Sequence, residues 1–215
     1  MNEITEKKWE YGGVYHNYDM SKEIDLPNQS KVKVADLTKE LPNFMLQADT
    51  IFCDPPCSIG NLRTFHTKAD RELEYSFGEF ETYLFSRIRQ INPKHLFLEV
   101  FKSNKNSFLE KCQEMYENVA IYNSFYYNKK QNKCFIIHAT NEVVQSKYEA
   151  LEGIDEEKAI KWICENHDFN CIGDLCMGRG LVGKYAFLNQ KQFVGTELNK
   201  KRLAVLVDFI STYKA

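Results

Sequence analysis

Asp54-Pro55-Pro56-Cys57 is the segment of this sequence best suited to chemistry. It follows the short apolar, β-prone run Asp49-Thr50-Ile51-Phe52-Cys53, and its two prolines remove two ladder donors where that strand must stop. A carboxylate and a carbonyl fixed in this way are a rigid pair of acceptors. Such a pair can take both hydrogens of a planar amino group and turn its nitrogen lone pair, otherwise delocalised into a ring, toward an electrophile. A plain strand-ending turn is the other reading of the same tetrapeptide.

A second constellation lies far downstream. Asp174-Leu175-Cys176-Met177-Gly178-Arg179-Gly180 is followed by Val194-Gly195-Thr196-Glu197. A strand ending in an acid, a turn with two glycines, a helix, and a second strand ending in an acid about twenty residues on is the layout of a nucleotide-type site at the carboxyl edge of a parallel sheet. Gly178 and Gly180 allow the backbone to approach a ligand closely, and Glu197 can accept from a ribose diol. The third glycine of a dinucleotide site is absent, and so is the Gly-Lys-Ser/Thr that cradles phosphates. A glycine turn that binds nothing is the competing reading.

The glycine segment resembles the S-adenosylmethionine (SAM) motif of Rossmann-like methyltransferases, whose ligand has a ribose and no phosphate. That resemblance implies SAM as cofactor, with Asp174, Gly178 and Gly180 at its methionine moiety, Glu197 at the ribose, and Cys176 and Asn199 also among the cofactor-binding residues. Taken with Asp54-Pro55-Pro56, the chain resembles the amino-methyltransferases, whose signature is Asp, Asn or Ser, then Pro-Pro, then an aromatic residue. The catalytic motif comes first and the SAM motif last, as in the permuted, class beta members, and the similarity covers roughly residues 30 to 212. It implies a single-step transfer to an exocyclic base amine without a metal, with Asp54, Pro55, Pro56 and Cys57 catalytic and DNA, or alternatively RNA, as partner. Asp at the first signature position favours adenine N6, and a base in a duplex would have to flip out to reach it.

Cys57 departs from that pattern, because the aromatic it replaces stacks on the target base, a contact worth about 1 to 3 kcal/mol. Phe65, Tyr126 and Tyr127 are candidate replacements. Two alternatives stay open. Pro56-Cys57, with Leu98-Glu99-Val100 about forty residues later, also resembles the cytosine carbon-5 methyltransferases and their cysteine nucleophile. A catalytically silent methyltransferase fold that serves a partner subunit is the other. For substrate contacts the candidates are Arg63 and His66, in an expected loop after the catalytic motif, and Tyr126, Tyr127, Lys129 and Lys130 in an expected hairpin. His138 reads as a satisfied core histidine, and Lys200, Lys201 and Arg202 as a solvated helix face.

Composition sets the outer bounds. With 215 residues, 43% hydrophobic and 27% charged, the chain suits one good core. Its net charge of -2 argues against a self-sufficient duplex binder, which needs basic excess to displace counterions, and leaves room for a homodimer or partner subunit. Seven cysteines without zinc spacing fit a reducing compartment, and no segment resembles a signal peptide or membrane span. A cytoplasmic setting follows, or a nuclear one in a eukaryote.

The elements that must position these motifs alternate. Residues 1–30 read as an irregular arm and 31–215 as one α/β domain, with a catalytic half over 31–145 and a SAM half over 154–215. Strands are expected at Asp49–Cys53, His95–Val100, Val119–Tyr127, Lys133–Ala139, Asn170–Leu175 and Gln192–Glu197, the third and fourth as a hairpin. Helices are expected at Phe77–Ile91, Phe108–Tyr116, from Asp155 as N-cap to Asn166, from Val182, and from Asn199; Ser146–Gly153 reads as loosely ordered. Strand and helix in alternation predict a Rossmann-like, mainly parallel sheet with a terminal antiparallel hairpin and helices on both faces.

Overall fold

The computed structural model describes residues 10–126 and 129–214. Strands β1 (Ile24–Leu26), β2 (Ser30–Val34), β3 (Thr50–Cys53), β4 (His95–Phe101), β5 (Asn118–Phe125), β6 (Lys133–Thr140), β7 (Ile154–Asp155), β8 (Cys171–Asp174) and β9 (Gln192–Glu197) form one sheet in the order β1-β2-β9-β8-β3-β4-β6-β5-β7. From β2 to β4 the pairings are all parallel; β6 then runs antiparallel to both β4 and β5. This is the expected α/β architecture, with a terminal hairpin closing one side of a mainly parallel sheet.

Helices α1 (Ile59–Lys68), α2 (Phe77–Ile91), α3 (Lys105–Gln113), α4 (Glu156–Asn166), α5 (Leu181–Leu188) and α6 (Lys200–Thr212) cover both faces. The strand period of two sorts the core between them. Ile51 and Cys53 of β3 pack with α2 residues Leu84 and Ile88, whereas Phe52 packs on the opposite side with Ile160 and Ile163 of α4. Local signals stop and start the helices. Ser76 and Glu79 form a reciprocal capping box at the start of α2, and Asn92 in the left-handed region, followed by Pro93, ends it.

The central strands create the functional edge. From β8 the chain passes through α5 to β9 on one side, and from β3 through α1 and α2 to β4 on the other, so the connections diverge between β8 and β3. In open α/β sheets ligands bind outside the carboxyl ends of strands at such a switch point.

Several expectations need correction. The stretch read as an irregular arm holds β1, paired antiparallel with β2, and β2 in turn lies parallel beside β9. Residues after the Pro-Pro motif form α1 rather than a loop, with Ser58 accepting from the Asn61 amide as N-cap. Helix α3 begins at Lys105, ahead of the expected Phe108. Ser146–Leu151 is a 3-10 turn anchored by buried Tyr148 and Leu151, not a loose segment. His138 is a core histidine facing His95 at 3.0 Å, but its Nδ1 has no partner, and burial pushes it down to about 3, which keeps it neutral.

Candidate active site

Two turns meet across the switch point. β3 ends at Cys53, and Asp54, Pro55, Pro56 and Cys57 lead into α1; β8 ends at Asp174, and the glycine turn leads into α5. Both turns line one cavity of about 1260 Å³. Backbone bonds hold the first turn: the Cys57 amide donates to Asn61 Oδ1 at 3.2 Å, and the Cys57 carbonyl accepts from Ser103 Oγ at 3.1 Å. Pro55 and Pro56 are buried, while Asp54 and Cys57 are half-buried at the cavity wall.

The second turn is organised by its acids. Asp174 Oδ1 accepts the Cys176 amide at 2.9 Å. Glu197, at the end of β9, accepts from the Gly178 amide at 2.7 Å and the Asn199 amide at 3.0 Å, one on each oxygen. Gly178 and Gly180 have φ of +56° and +80°, which side-chain-bearing residues adopt at a cost. Gly180 is there for packing, since a Cβ would sit 2.6 Å from Leu206 Cβ; at Gly178 it would meet Arg202 Nη2 at 2.8 Å.

The edge is acidic. Burial raises Asp54 to about 6, with the Tyr126 hydrogen bond and the Arg202 charge pulling it back. Burial likewise takes Asp174 to about 8 and raises Glu197. Glu156, the first residue of α4, is pushed up to about 8 by burial and then by Asp54 and Asp174. These groups favour cationic ligands, because a nearby positive charge offsets the cost of ionising them.

The cavity thus gathers Asp54, Pro55, Pro56, Cys57, Tyr126, Asp174, Cys176, Gly178, Gly180 and Glu197 from the sequence-derived candidates. Tyr126 donates to Asp54 Oδ2 at 3.1 Å. His66 also borders the cavity, but it is no phosphate contact on a solvated loop. It is buried in α1, with Nδ1 on the Leu62 carbonyl at 3.0 Å and Nε2 against the Tyr75 hydroxyl at 2.9 Å. Asn199 is corrected in the same way: it is buried, its Oδ1 caps α6 at the Lys201 amide, and its Nδ2 donates to the Lys68 carbonyl. It steadies Glu197 through its backbone and stands outside the cavity wall. Arg63, Lys129 and Lys130 are exposed outside the cavity wall, and Tyr127 lies outside the described residues.

Two cavity residues carry no signal in the sequence. Arg202 is expected on a solvated face together with Lys200 and Lys201; instead its guanidinium lies 5.0 Å from the Phe65 ring centroid and its Nε is buried without a partner. Lys201 is also drawn in, pairing with Glu10 and Asp70. Glu156 belongs to no motif, and its place beside Asp54 comes from the docking of α4 on the sheet.

The chain matches no known family model and no curated protein sequence. Its fold does match solved structures. M1.HpyAVI superposes with a TM-score of 0.57 at 14% identity, over 82% of this chain and 96% of that one. TTHA0409, a proposed DNA modification methylase from Thermus thermophilus, gives 0.58 at 10% identity, over 85% and 96%. The PvuII DNA methyltransferase, which is cytosine-N4-specific, gives 0.54 at 11% identity, over 90% and 92%. At such identities the likeness is one of fold, and this chain has the fold those three proteins share.

Proposed function

We propose that this chain transfers a methyl group from SAM to the exocyclic amino group of a nucleic-acid base, adenine N6 in DNA being the foremost target. The observation that carries this reading is that the Asp54-Pro55-Pro56 turn and the Asp174–Glu197 glycine turn share one cavity at the switch point. The cavity's 1260 Å³ exceeds the roughly 300 to 1,000 Å³ of a single-ligand pocket, as a two-substrate reaction requires. Two of the fold neighbours, M1.HpyAVI and TTHA0409, have been solved with SAM bound, which supports the cofactor assignment.

The residues present fit SAM. Buried acids suit its sulfonium and ammonium, Glu197 has lone pairs left for a diol, and among the described residues no phosphate cradle is built. When bound, SAM supplies an electrophilic methyl group. Asp54 and the Pro55 carbonyl hold the amine hydrogens and direct its lone pair, so catalysis is mainly positioning in a cavity that sheds water. With its carboxyl raised to about 6, Asp54 is largely ionised at neutral pH and can receive the proton the amine loses. Tyr126, in edge contact with Phe101 at 5.5 Å, and Phe65 are the rings available where the usual aromatic gives way to Cys57. Exposed Arg63, Lys129 and Lys130 are the candidate phosphate contacts, with further basic surface coming from a second copy or a partner subunit.

Cys57 borders the same cavity, but Glu99, the ring-binding acid that the carbon-5 alternative needs, is 0% exposed and outside the cavity wall. That weakens the alternative. A silent scaffold would have no need of the intact acidic cavity. The test is labelled-methyl transfer from SAM to unmethylated DNA and RNA by wild type, Asp54→Ala and Glu197→Ala, with product nucleosides identified. Transfer to a base amine that fails in both variants is expected; transfer to cytosine carbon 5, lost in Cys57→Ser, or no transfer at all, would overturn it.

A further inference from the structure

Beside the Asp54 turn stands a group of acids that holding an amine does not by itself require. Carboxyl oxygens of Asp54, Glu99 and Glu156 all lie within 4.8 Å of one another. Asp54 and Glu156 line the cavity, and Glu99 sits behind them, fully buried. Its Oε1 accepts from the Cys134 thiol at 3.0 Å, and its Oε2 has no hydrogen-bond partner. Among the described residues no salt bridge reaches any of the three. Three carboxyls so close and so poorly solvated cannot all ionise, so at neutral pH the group retains protons. A cavity wall that carries a protonated carboxyl next to an ionised one presents a donor beside an acceptor.

The division of roles follows from surroundings. Asp54 has the Tyr126 hydroxyl and the Arg202 charge to favour its anion. Glu156 faces Asp54, Asp174, Asp155 and Glu157, all acidic, and the N-terminus of α4 is the opposing influence, which burial and its neighbours outweigh in raising it to about 8. Glu99 is raised well above the usual carboxylate range by burial and lies behind the wall. The acceptor at the cavity is therefore Asp54 and the donor Glu156.

That order of groups matches one kind of edge. On the Watson–Crick edge of adenine and cytosine the amino group stands next to a ring nitrogen with a free lone pair; thymine and the carbonyl edge of guanine carry a carbonyl next to a ring N–H, the reverse order, and guanine offers the first order only at its 2-amino group and N3. We infer that Glu156 reads the base: its carboxyl O–H donates to the ring nitrogen adjacent to the amino group that Asp54 holds, which selects an amidine edge such as that of adenine or cytosine and rejects thymine and the carbonyl edge of guanine. This rests on the amino-methyltransferase reading and adds to it a residue that selects the substrate class.

The experiment uses single-stranded DNA oligonucleotides made with ordinary bases, with 1-deazaadenine for adenine, or with 3-deazacytosine for cytosine, in which the ring nitrogen becomes C–H and no base pair is altered. Wild type, Glu156→Gln and Glu156→Leu are compared for methyl transfer, with SAM affinity and thermal unfolding measured on each. Wild type should prefer the parent base by about 10- to 100-fold, the loss expected when a built hydrogen bond has no partner. Glu156→Gln, still a donor, should keep that preference, and Glu156→Leu should be slow and indifferent to the ring nitrogen. Equal transfer to parent and deaza base by wild type, or an unchanged preference in Glu156→Leu, overturns the assignment. Absence of any transfer by wild type would instead remove the amino-methyltransferase reading, and this inference with it.

Discussion

Tyr126 donates its hydroxyl to Asp54 Oδ2 at 3.1 Å, tying the tip of the terminal hairpin to the amine-binding turn 72 positions away in sequence. The bond favours the Asp54 anion against burial, which raises that carboxyl to about 6. It also fills one acceptor position and leaves Oδ1 for a substrate amine.

Tyr126→Phe should therefore raise the Asp54 pKa further. Because only ionised Asp54 can take up the proton the amine loses, the acid limb of the pH–rate profile, near pH 6 in wild type, should move to higher pH, with SAM affinity unchanged. A profile that stays put while overall rate falls would mean that Tyr126 acts only as a ring.

Glu197 joins three pieces of the site. It accepts from the Gly178 amide at 2.7 Å and the Asn199 amide at 3.0 Å while facing the cavity. Glu197→Gln should weaken SAM binding by about 10- to 100-fold, since bonds to a charged acceptor are worth roughly 1.5 to 3 kcal/mol. Calorimetry of wild type and variant checks this, and equal affinities would exclude Glu197 from the cofactor site.

The strand ends that carry chemistry are legible because apolar runs stop at unusual residues: Pro55 after Asp54, and the glycines after Asp174. Helix α1 is not, because only Leu62 and His66 of its ten residues are buried and the apolar period is too weak to register. Glu156 and Arg202 stand at helix starts where charged residues are ordinarily solvated. Their approach to the cavity is set by how α4 and α6 dock on the sheet, which no local pattern encodes. Asn199 misleads for the converse reason: adjacent to the key acid, it serves as a helix cap.

The two glycines of the turn should differ under substitution. At Gly180 a Cβ would press on Leu206 in the α5–α6 packing, so Gly180→Ala adds overpacking of about 1 to 3 kcal/mol to a left-handed backbone cost of about 1 to 2 kcal/mol. At Gly178 the obstacle is the flexible end of Arg202, so Gly178→Ala should incur mainly the backbone cost and show its effect in SAM binding. Urea unfolding of both variants, with calorimetry, distinguishes the roles. Equal stability losses would contradict them.

Proton uptake and release give the broadest test of the acidic edge. Asp54, Asp174 and Glu156 hold their protons more tightly folded than unfolded, with burial as the leading cause in each. Their contribution to stability is therefore complete below the ordinary carboxylate range and is lost as pH rises through about 6 for Asp54 and about 8 for Asp174 and Glu156. A cationic ligand at the glycine turn shifts Asp174 toward its anion, so SAM should bind with net proton release near pH 7. Titrations in two buffers of different ionisation enthalpy should give different heats. The urea midpoint of the free protein should decline from pH 5 to about 8, less steeply with SAM, and demethylated SAM, without the sulfonium charge, should release fewer protons. Identical heats in both buffers, with a flat midpoint, would mean that the carboxyls are ionised before the ligand arrives and that the cavity does not select its cofactor by charge.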